Sequence, residues 1–202
     1  MLVVTLMSMT LLTALATTVL LATMTETAIS ASYREAAQAF YAAEAAAYYA
    51  MQDLSADPDW RVMLSEQAMS ALVDGPPSGT RAVGGTILDL TRANQDANAL
   101  ARDVGDPNRS PWNLYAFGRF EDMLAFRRIG IPMYVVIWVA GPSEEPDKNG
   151  PESSGRDVLA ILSQAYGPGG SRRTVELTIA RSTLSPEENP APTEVLSWRE
   201  LR

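Results

Sequence analysis

Residues 1–54 read MLVVTLMSMTLLTALATTVLLATMTETAISASYREAAQAFYAAEAAAYYAMQDL, and this stretch contains neither glycine nor proline. Those two residue types disfavour the interior of an α-helix most strongly. The stretch therefore predicts one continuous helix from about residue 2 to about residue 54, which at about 1.5 Å per residue is ~80 Å long. Its two halves differ in chemistry, because the first charged side chain of the chain is Glu26.

The first half, residues 1–25, is uncharged and mostly apolar. As a helix it is about 37 Å long, which is enough to cross a hydrocarbon layer about 30 Å thick. A secretory signal peptide fits less well, because such a peptide has a basic start and an apolar run of about 7–15 residues. A buried core helix seldom runs this long without a charge. We therefore predict that residues 1–25 span a membrane.

The second half, residues 26–54, is rich in alanine and interrupted by charged and amide side chains. Apolar residues recur every three or four positions and predict one apolar helix face, made of Ala36, Phe40, Ala43, Ala47, Ala50 or Met51, and Leu54. Pro58 disfavours helical conformation at the residue before it, so we expect the helix to end at residues 55–58. An apolar face needs a covering surface, and we expect this half to pack on the domain that follows.

Residues 55–202 predict a small α+β head domain. The pattern indicates helices over residues 59–73 and 91–104, and an ambiguous strand over residues 81–90 that Gly84 and Gly85 weaken. Strands are predicted over residues 131–140, 157–166 and 172–181, and residues 195–198 are expected to close the sheet. Apolar and polar residues alternate along 174–180, which is typical of a strand with one face toward a core. Short connections favour an antiparallel sheet covered by the amphipathic half of the long helix.

The composition excludes several classes of function. The 202 residues include no cysteine and no histidine, so disulfides, thiolate zinc sites and histidine-dependent catalytic triads cannot be built. The net charge of −8 provides no basic stripe for nucleic acid. The carboxylates and serines show no sequence pattern that is typical of a catalytic nucleophile with its general base. We predict a protein that is not an enzyme and that needs no cofactor.

Two motifs on the long helix resemble a known family. Residues 25–29 read TETAI and residues 39–45 read AFYAAEA, after an apolar N-terminus. Together they are similar to the N-terminal region of PilX-type minor pilins of type IV pili, where a TE-x-x-I element leads into an AF-(Y/Q)-AAEA signature. The resemblance covers residues 1–50, and the rest of the chain is similar only in its succession of strands and loops.

The resemblance implies a single-pass protein of the inner membrane that later leaves the bilayer and packs into an extracellular pilus. Its implied partners are other minor pilins, the major pilin, the inner-membrane assembly machinery and, for the precursor, a prepilin peptidase. It also implies N-terminal processing and methylation, which we place at Met1. The residues expected to pack in the filament are Met1, Thr5, Glu26, Phe40 and Tyr41.

One departure from the superfamily concerns the fifth residue. Major pilins carry a glutamate at the fifth mature position, thought to pair with the N-terminal amine of a neighbour, and this chain has Thr5. A carboxylate in hydrocarbon costs about 2.5–3.5 kcal/mol, so it persists only where a partner compensates that cost. A subunit at the filament tip has no neighbour above it to supply the amine. We therefore expect this chain to lie at or near the tip and to prime assembly.

Two other functions are compatible with the same sequence. A pseudopilin of a type II secretion system would use the same helix packing for a different client. A single-pass anchored binding module would use the helix only as a tether and would have no role in a filament.

The acidic loop between the predicted strands contains candidate calcium ligands. These are Glu144, Glu145, Asp147 and Asn149, which supply the oxygen atoms that Ca²⁺ prefers. Their spacing does not match an EF-hand loop and Lys148 lies among them, so a solvated loop is the preferred interpretation.

Other candidate sites have simpler structural interpretations. Glu35 and Glu44 are about 13.5 Å apart along a helix, beyond the separation of about 5–9.5 Å found in glycosidase carboxylate pairs. The glycine-rich residues 167–170 before Arg172 lack the Gly-Lys pair of a phosphate-binding loop and predict a turn.

The tyrosines Tyr41, Tyr48 and Tyr49 are expected either to contact other subunits or to cover the sheet of this chain. Glu26 and Arg34 are expected near the membrane surface, on a solvated helix face or paired with neighbours.

Overall fold

A computed structural model of the chain describes residues 1–57, 59, 60, 64, 68–104, 110–123, 130, 132–141, 156–182 and 193–201. The helices are α1 (Leu2–Ser55), α2 (Leu90–Val104) and the single turn α3 (Phe120–Met123). The strands are β1 (Thr80–Val83), β2 (Thr86–Asp89), β3 (Asn113–Arg119), β4 (Tyr134–Ala140), β5 (Arg156–Tyr166), β6 (Arg172–Ser182) and β7 (Thr193–Leu201). A 3₁₀ turn, Pro168–Gly170, joins β5 to β6. The α+β class and the continuous helix are confirmed.

Five strands form one antiparallel sheet in the order β3-β4-β5-β6-β7. Each strand pairs with the one that follows it in the chain, as short connections between neighbouring strands allow. A β-bulge shifts the register between β6 and β7 beside Thr178 and Ile179. The predicted strands are confirmed, and β3 is an additional strand.

The second half of α1 lies along one face of this sheet, mainly on β5 and β6. The buried helix residues are Ala39, Ala42, Ala43, Ala46, Ala47, Ala50 and Leu54. Ala43, Ala47, Ala50 and Leu54 of the predicted face are therefore confirmed, whereas the prediction included Phe40, which is only half-buried, and omitted three of the buried alanines. Alanine side chains let the helix backbone approach the sheet closely, and the large sheet residues Leu159, Ile161, Leu177 and Ile179 fill the space.

The opposite face of the sheet is covered as well. The hairpin of β1 and β2 and the helix α2 pack over β3, β4 and β5, where Trp138, Phe117 and Val136 are fully buried. The prediction that 172–181 buries a single face was wrong for most of the strand. Thr174, Glu176 and Ala180, on the face predicted to be solvated, are all buried. The buried Glu176 carboxylate accepts a charge-assisted bond of 2.7 Å from Arg199, which compensates for its loss of water.

The ambiguous strand over 81–90 is a hairpin. Gly84 and Gly85 form its turn with φ of 53° and 86°, the positive values that a two-residue turn between strands requires and that side chains with a Cβ rarely adopt. Val83 and Thr86 are the last paired residues. The glycines that weakened the strand prediction are thus the turn itself.

The helix predicted over 59–73 is wrong at its C-terminal end. Residues 68–73 are not helical, and Val73 forms a parallel bridge with Phe117 of β3. Backbone bonds of 2.9 Å from Ser70 N to Tyr115 O and 3.0 Å from Phe117 N to Leu72 O hold this segment along the edge of the sheet. An edge strand offers unpaired backbone groups, and satisfying them outweighs the helix propensity of the alanine, methionine and leucine residues in this segment.

We predict that Ala43→Leu destabilises the head by about 1–3 kcal/mol, because Ala43 is completely buried against the sheet and a larger side chain overpacks it. Ala37→Leu is the matched control, since Ala37 lies on the exposed side of the same helix. Denaturant unfolding in detergent, followed by tryptophan fluorescence, measures both. Equal stability of the two variants would contradict the close contact between helix and sheet.

Candidate functional site: the exposed half of helix α1

The first thirty residues of the chain are exposed throughout, and no other part of the described protein covers them. Every large apolar side chain from Met1 to Ile29 is at least 56% exposed. The most apolar window of α1 has a mean hydropathy of 1.9 and none of it is buried. Among the described residues, α1 is the one helix long and apolar enough to span a membrane. A surface of this size and polarity is typical of a helix that meets lipid or other helices rather than water.

The hydroxyl groups of this half bond within the helix. Thr5 Oγ1 donates to the carbonyl oxygen of Leu2 at 2.8 Å, and Thr13 Oγ1 donates to that of Met9 at 2.8 Å. The same bond to a carbonyl three or four residues earlier is made by Ser8, Thr10, Thr17, Thr18, Thr23, Thr25 and Thr27. Polar groups must be satisfied within the helix in a hydrocarbon environment, and these are.

Contact with the head begins at Ala31, the first residue that is not fully exposed. Glu26 and Arg34 are exposed on either side of this point. Glu35 is half-buried, and its carboxylate lies so close to the turn between β5 and β6 that a Cβ at Gly169 would be 3.2 Å from it. Glu35 and Glu44 are both half-buried along the docked half.

The residues predicted to pack in a filament fall into two groups. Met1, Thr5 and Glu26 lie on the exposed half, where no described residue of this chain covers them. Phe40 lies on the docked half, with its ring 6.0 Å from Trp198 of β7 and 5.4 Å from Tyr41 in edge-to-face arrangements. Tyr41 is 65% exposed. The structure therefore brings Phe40 into contact with Trp198, a residue that no sequence signal linked to the helix.

The three tyrosines do not share one environment. Tyr49 packs against the core between helix and sheet, whereas Tyr41 and Tyr48 are exposed. Of the two interpretations left open by the sequence, Tyr49 fits the covering of the chain's own sheet. Tyr41 and Tyr48 are placed where another molecule can contact them.

The C-terminal end of α1 is fixed to the head by polar contacts. The Asp53 carboxylate accepts hydrogen bonds from Ser70 Oγ at 2.6 Å and from the Tyr115 hydroxyl at 2.7 Å. Trp60 Nε1 donates to the Leu54 carbonyl oxygen at 2.8 Å. These bonds satisfy a carboxylate and a carbonyl at the end of the helix, where the helix itself supplies no partner.

Arg181 adds a charge at the same end. Its guanidinium donates to the Asp57 carbonyl oxygen, stacks over the Trp60 ring at 4.4 Å, and is almost completely buried. A cation is favourable near the C-terminus of a helix, where carbonyl groups point outward. The direction in which the exposed half leaves the head is therefore fixed by contacts along the whole docked half, from Glu35 to Asp57.

The other predicted sites give no second functional centre. Glu144, Glu145, Asp147 and Asn149 lie outside the described residues. In the described part of the chain, no group of three acidic side chains comes together to hold a metal ion. The glycine-rich residues 167–170 form the turn that their sequence predicted, with Arg172 and Arg173 at the start of β6.

Comparison with known proteins adds no relative: no family model, no curated protein and no solved structure matches the chain.

Burial of the Tyr115 hydroxyl, its hydrogen bond to Asp53 and the Asp53 charge all raise the pKa of Tyr115 far above its ordinary value of about 10. A group whose folded pKa is raised contributes its full stability below its unfolded pKa and loses it as the pH rises further. We therefore predict that the head loses stability as the pH rises above about 10, and that Tyr115→Phe makes this loss shallower.

The measurement is the denaturation midpoint as a function of pH in detergent. Tyr41→Phe is the control, because Tyr41 is exposed and its slope is expected to equal that of the unchanged protein. Burial also raises the pKa values of Tyr134 and Tyr166 to about 12, so part of the alkaline loss remains in the Tyr115→Phe variant. Identical slopes for both variants would show that Tyr115 is not held in a buried bond to Asp53.

Proposed function

We propose that this protein is a minor pilin of a type IV pilus, which assembles through its N-terminal helix and acts in priming or at the tip of the filament. The observation that carries the proposal is a single helix with two uses. Residues 2–30 expose an apolar surface on every side, and the same helix continues without a break into a half docked on the head. This is the arrangement expected of a subunit that packs helices in a filament core and displays its head outside.

The energetics require that the exposed half be covered. Fourteen large apolar side chains lie between Met1 and Met24, and each is more than half exposed. Full burial of such a side chain is worth about 1.5–3 kcal/mol, so together they favour an apolar environment by roughly 20–40 kcal/mol. This preference exceeds the net stability of a typical folded domain, about 5–15 kcal/mol, and so supports an apolar environment for this half. A bilayer before assembly and neighbouring helices after it both meet the requirement.

Thr5 supports a place at the tip. Its hydroxyl is satisfied by the Leu2 carbonyl oxygen of its own helix, so it requires no partner from a neighbour. A glutamate at the same depth would require one. The subunit is thus able to enter a bilayer, or to cap a stack of helices, without an amine above it.

The rigid connection distinguishes this proposal from an anchored binding module. A tether needs only to hold the head near the membrane, and a flexible linker after residue 25 would do so. In this chain the helix continues for a further thirty residues and buries seven of them in the head. A pseudopilin of a type II secretion system would share this architecture. It differs from a minor pilin in the system that its filament serves.

The test replaces residues 2–25 by a leucine-alanine segment of the same length and unrelated order, in a strain of the source organism that lacks the native gene. We predict that the variant still fractionates with the membrane but is lost from sheared filaments, because it keeps the hydrophobicity and loses the side chains that pack against neighbours. Immunoblots of the membrane and shear fractions measure both outcomes.

Thr13→Ser is the matched control, because a serine at this position keeps the hydroxyl that bonds to Met9. It is expected to assemble like the unchanged protein. The anchored binding module predicts another result. If the leucine-alanine variant leaves both the number of filaments and the binding activity of the head domain unchanged, the proposal is overturned.

The tip position is tested separately. The chain has no cysteine, so a single Tyr33→Cys at an exposed position provides one site for a gold label. We expect labels at filament ends. Labels at regular intervals along the shaft would contradict a tip position while leaving the pilin assignment intact.

A further inference from the structure

A cleft of about 570 Å³ lies on the side of the sheet opposite α1. Three pieces of structure meet there: the hairpin of β1 and β2, the first turns of α2, and the turn from β5 to β6. Val83, Ile87 and Leu88 supply an apolar wall, and Arg92, Asp96, Tyr166 and Arg172 supply polar groups. The volume is that of an ordinary small-ligand site, and an apolar wall with a few polar groups is its usual composition.

The walls of the cleft are held in place by tight local contacts. A Cβ at Gly84 would lie 2.8 Å from Pro168, so the turn of the hairpin and the turn after β5 are in direct contact. Asp89 accepts bonds from the backbone nitrogens of Thr91 at 2.9 Å and Arg92 at 3.1 Å, and thereby caps α2. The cleft is therefore preformed, and its Asp89 carboxylate is already occupied.

Tyr166 forms part of the cleft and is fixed by a chain of hydrogen bonds. Its hydroxyl donates to Gln164 Oε1, and Gln164 Nε2 donates to Thr174 Oγ1 at 2.8 Å. Arg172 and Asp96 are both close enough to act electrostatically on this hydroxyl, with opposite effects on its pKa. The Arg172 guanidinium and the Asp96 carboxylate are thus both near the Tyr166 side chain.

Three charged side chains of the cleft, Arg92, Asp96 and Arg172, are not neutralised by an ion pair among the described residues. Arg92 and Asp96 are one helical turn apart on α2, yet they form no ion pair, and neither does Arg172, within the part of the chain that the structure describes. Arg173, the neighbour of Arg172, instead pairs with Glu200 at 3.5 Å. It does so because successive side chains of β6 face opposite sides of the sheet.

From this geometry we infer that the cleft binds a small zwitterion with an apolar side chain, the chemistry of a short peptide or a free amino acid. The carboxylate of the ligand bonds to Arg172 and Arg92, its ammonium bonds to Asp96, and its side chain covers Ile87, which is 74% exposed. Guanidinium groups bind carboxylates in bidentate fashion, and charge-assisted bonds are the strongest that a small site offers.

This activity goes beyond assembly and does not depend on it. Because the cleft and α1 lie on opposite faces of the sheet, helix packing in a membrane or a filament leaves the cleft accessible. A head that binds a peptide or an amino acid would therefore keep that capacity at the filament surface.

The test is calorimetric titration of the full chain in an uncharged detergent with four probes: glycyl-leucine, its N-acetyl derivative, its amide, and the doubly blocked compound. We expect glycyl-leucine to bind and the loss of either charge to weaken binding at least about tenfold. Equal binding of the N-acetyl derivative would show a simple anion site, and no heat from glycyl-leucine at millimolar concentration would show no site. Either result overturns the inference.

Two variants that remove a charge of the cleft, and one control variant, show which side chain binds which charge of the ligand. Arg172→Ala is expected to weaken glycyl-leucine binding at least about tenfold, whereas Arg173→Ala, on the other face of the same strand, is expected to leave it unchanged. Asp96→Asn is expected to bring the affinity for glycyl-leucine down to that for the N-acetyl derivative. Circular dichroism verifies that each variant is folded. Equal effects of Arg172→Ala and Arg173→Ala would overturn the assignment, and filament assembly is expected to be normal in all three variants.

Discussion

The structure depends on the contact between the alanine face of α1 and the sheet. Small side chains allow a helix backbone to lie close to β5 and β6, and large aliphatic residues of the sheet then fill the interface. The same helix carries an apolar half that no described part of the chain covers. The head thus holds one half firmly and leaves the other half free, through the alanine face and the bonds around Asp53.

The two faces and the two edges of the sheet are protected by different features of the chain. One face holds α1 and the other holds the hairpin and α2, so both are largely covered. The edge at β3 is paired with residues 70–74. The edge at β7 has a bulge and the charged residues Glu194, Arg199 and Glu200, features that limit unwanted pairing of an edge strand. Both proposed activities use surfaces that remain: the free half of α1, and the cleft beside β2.

Much of this architecture could be predicted from the sequence, because a long uniform residue pattern specifies a long helix or strand. The absence of glycine and proline over residues 1–54 predicted α1 to within a residue at each end, a β-branched and aromatic run predicted β4, and alternation of apolar and polar residues predicted β6. The buried helix face was predicted only in part, since hydrophobicity ranks Phe40 above the alanines while close packing favours the alanines. Residues 68–73 and the cleft depend on pairings between distant segments, such as Ser70 with Tyr115 and Gly84 with Pro168, which a local pattern does not encode.

The alignment of α1 with β6 has a mechanical consequence. Glu35 of the helix lies beside the turn that precedes β6, and the residues just past its C-terminal end lie beside Arg181 near the end of β6, so helix and strand run side by side in the same direction. Tension applied to the N-terminus of α1 therefore acts parallel to the strand and loads the interface in shear. Under shear the buried alanines and the anchor at Asp53 resist together, whereas under peeling they would rupture one after another. A pull along the axis of α1 therefore meets the resistance of the whole helix–sheet interface.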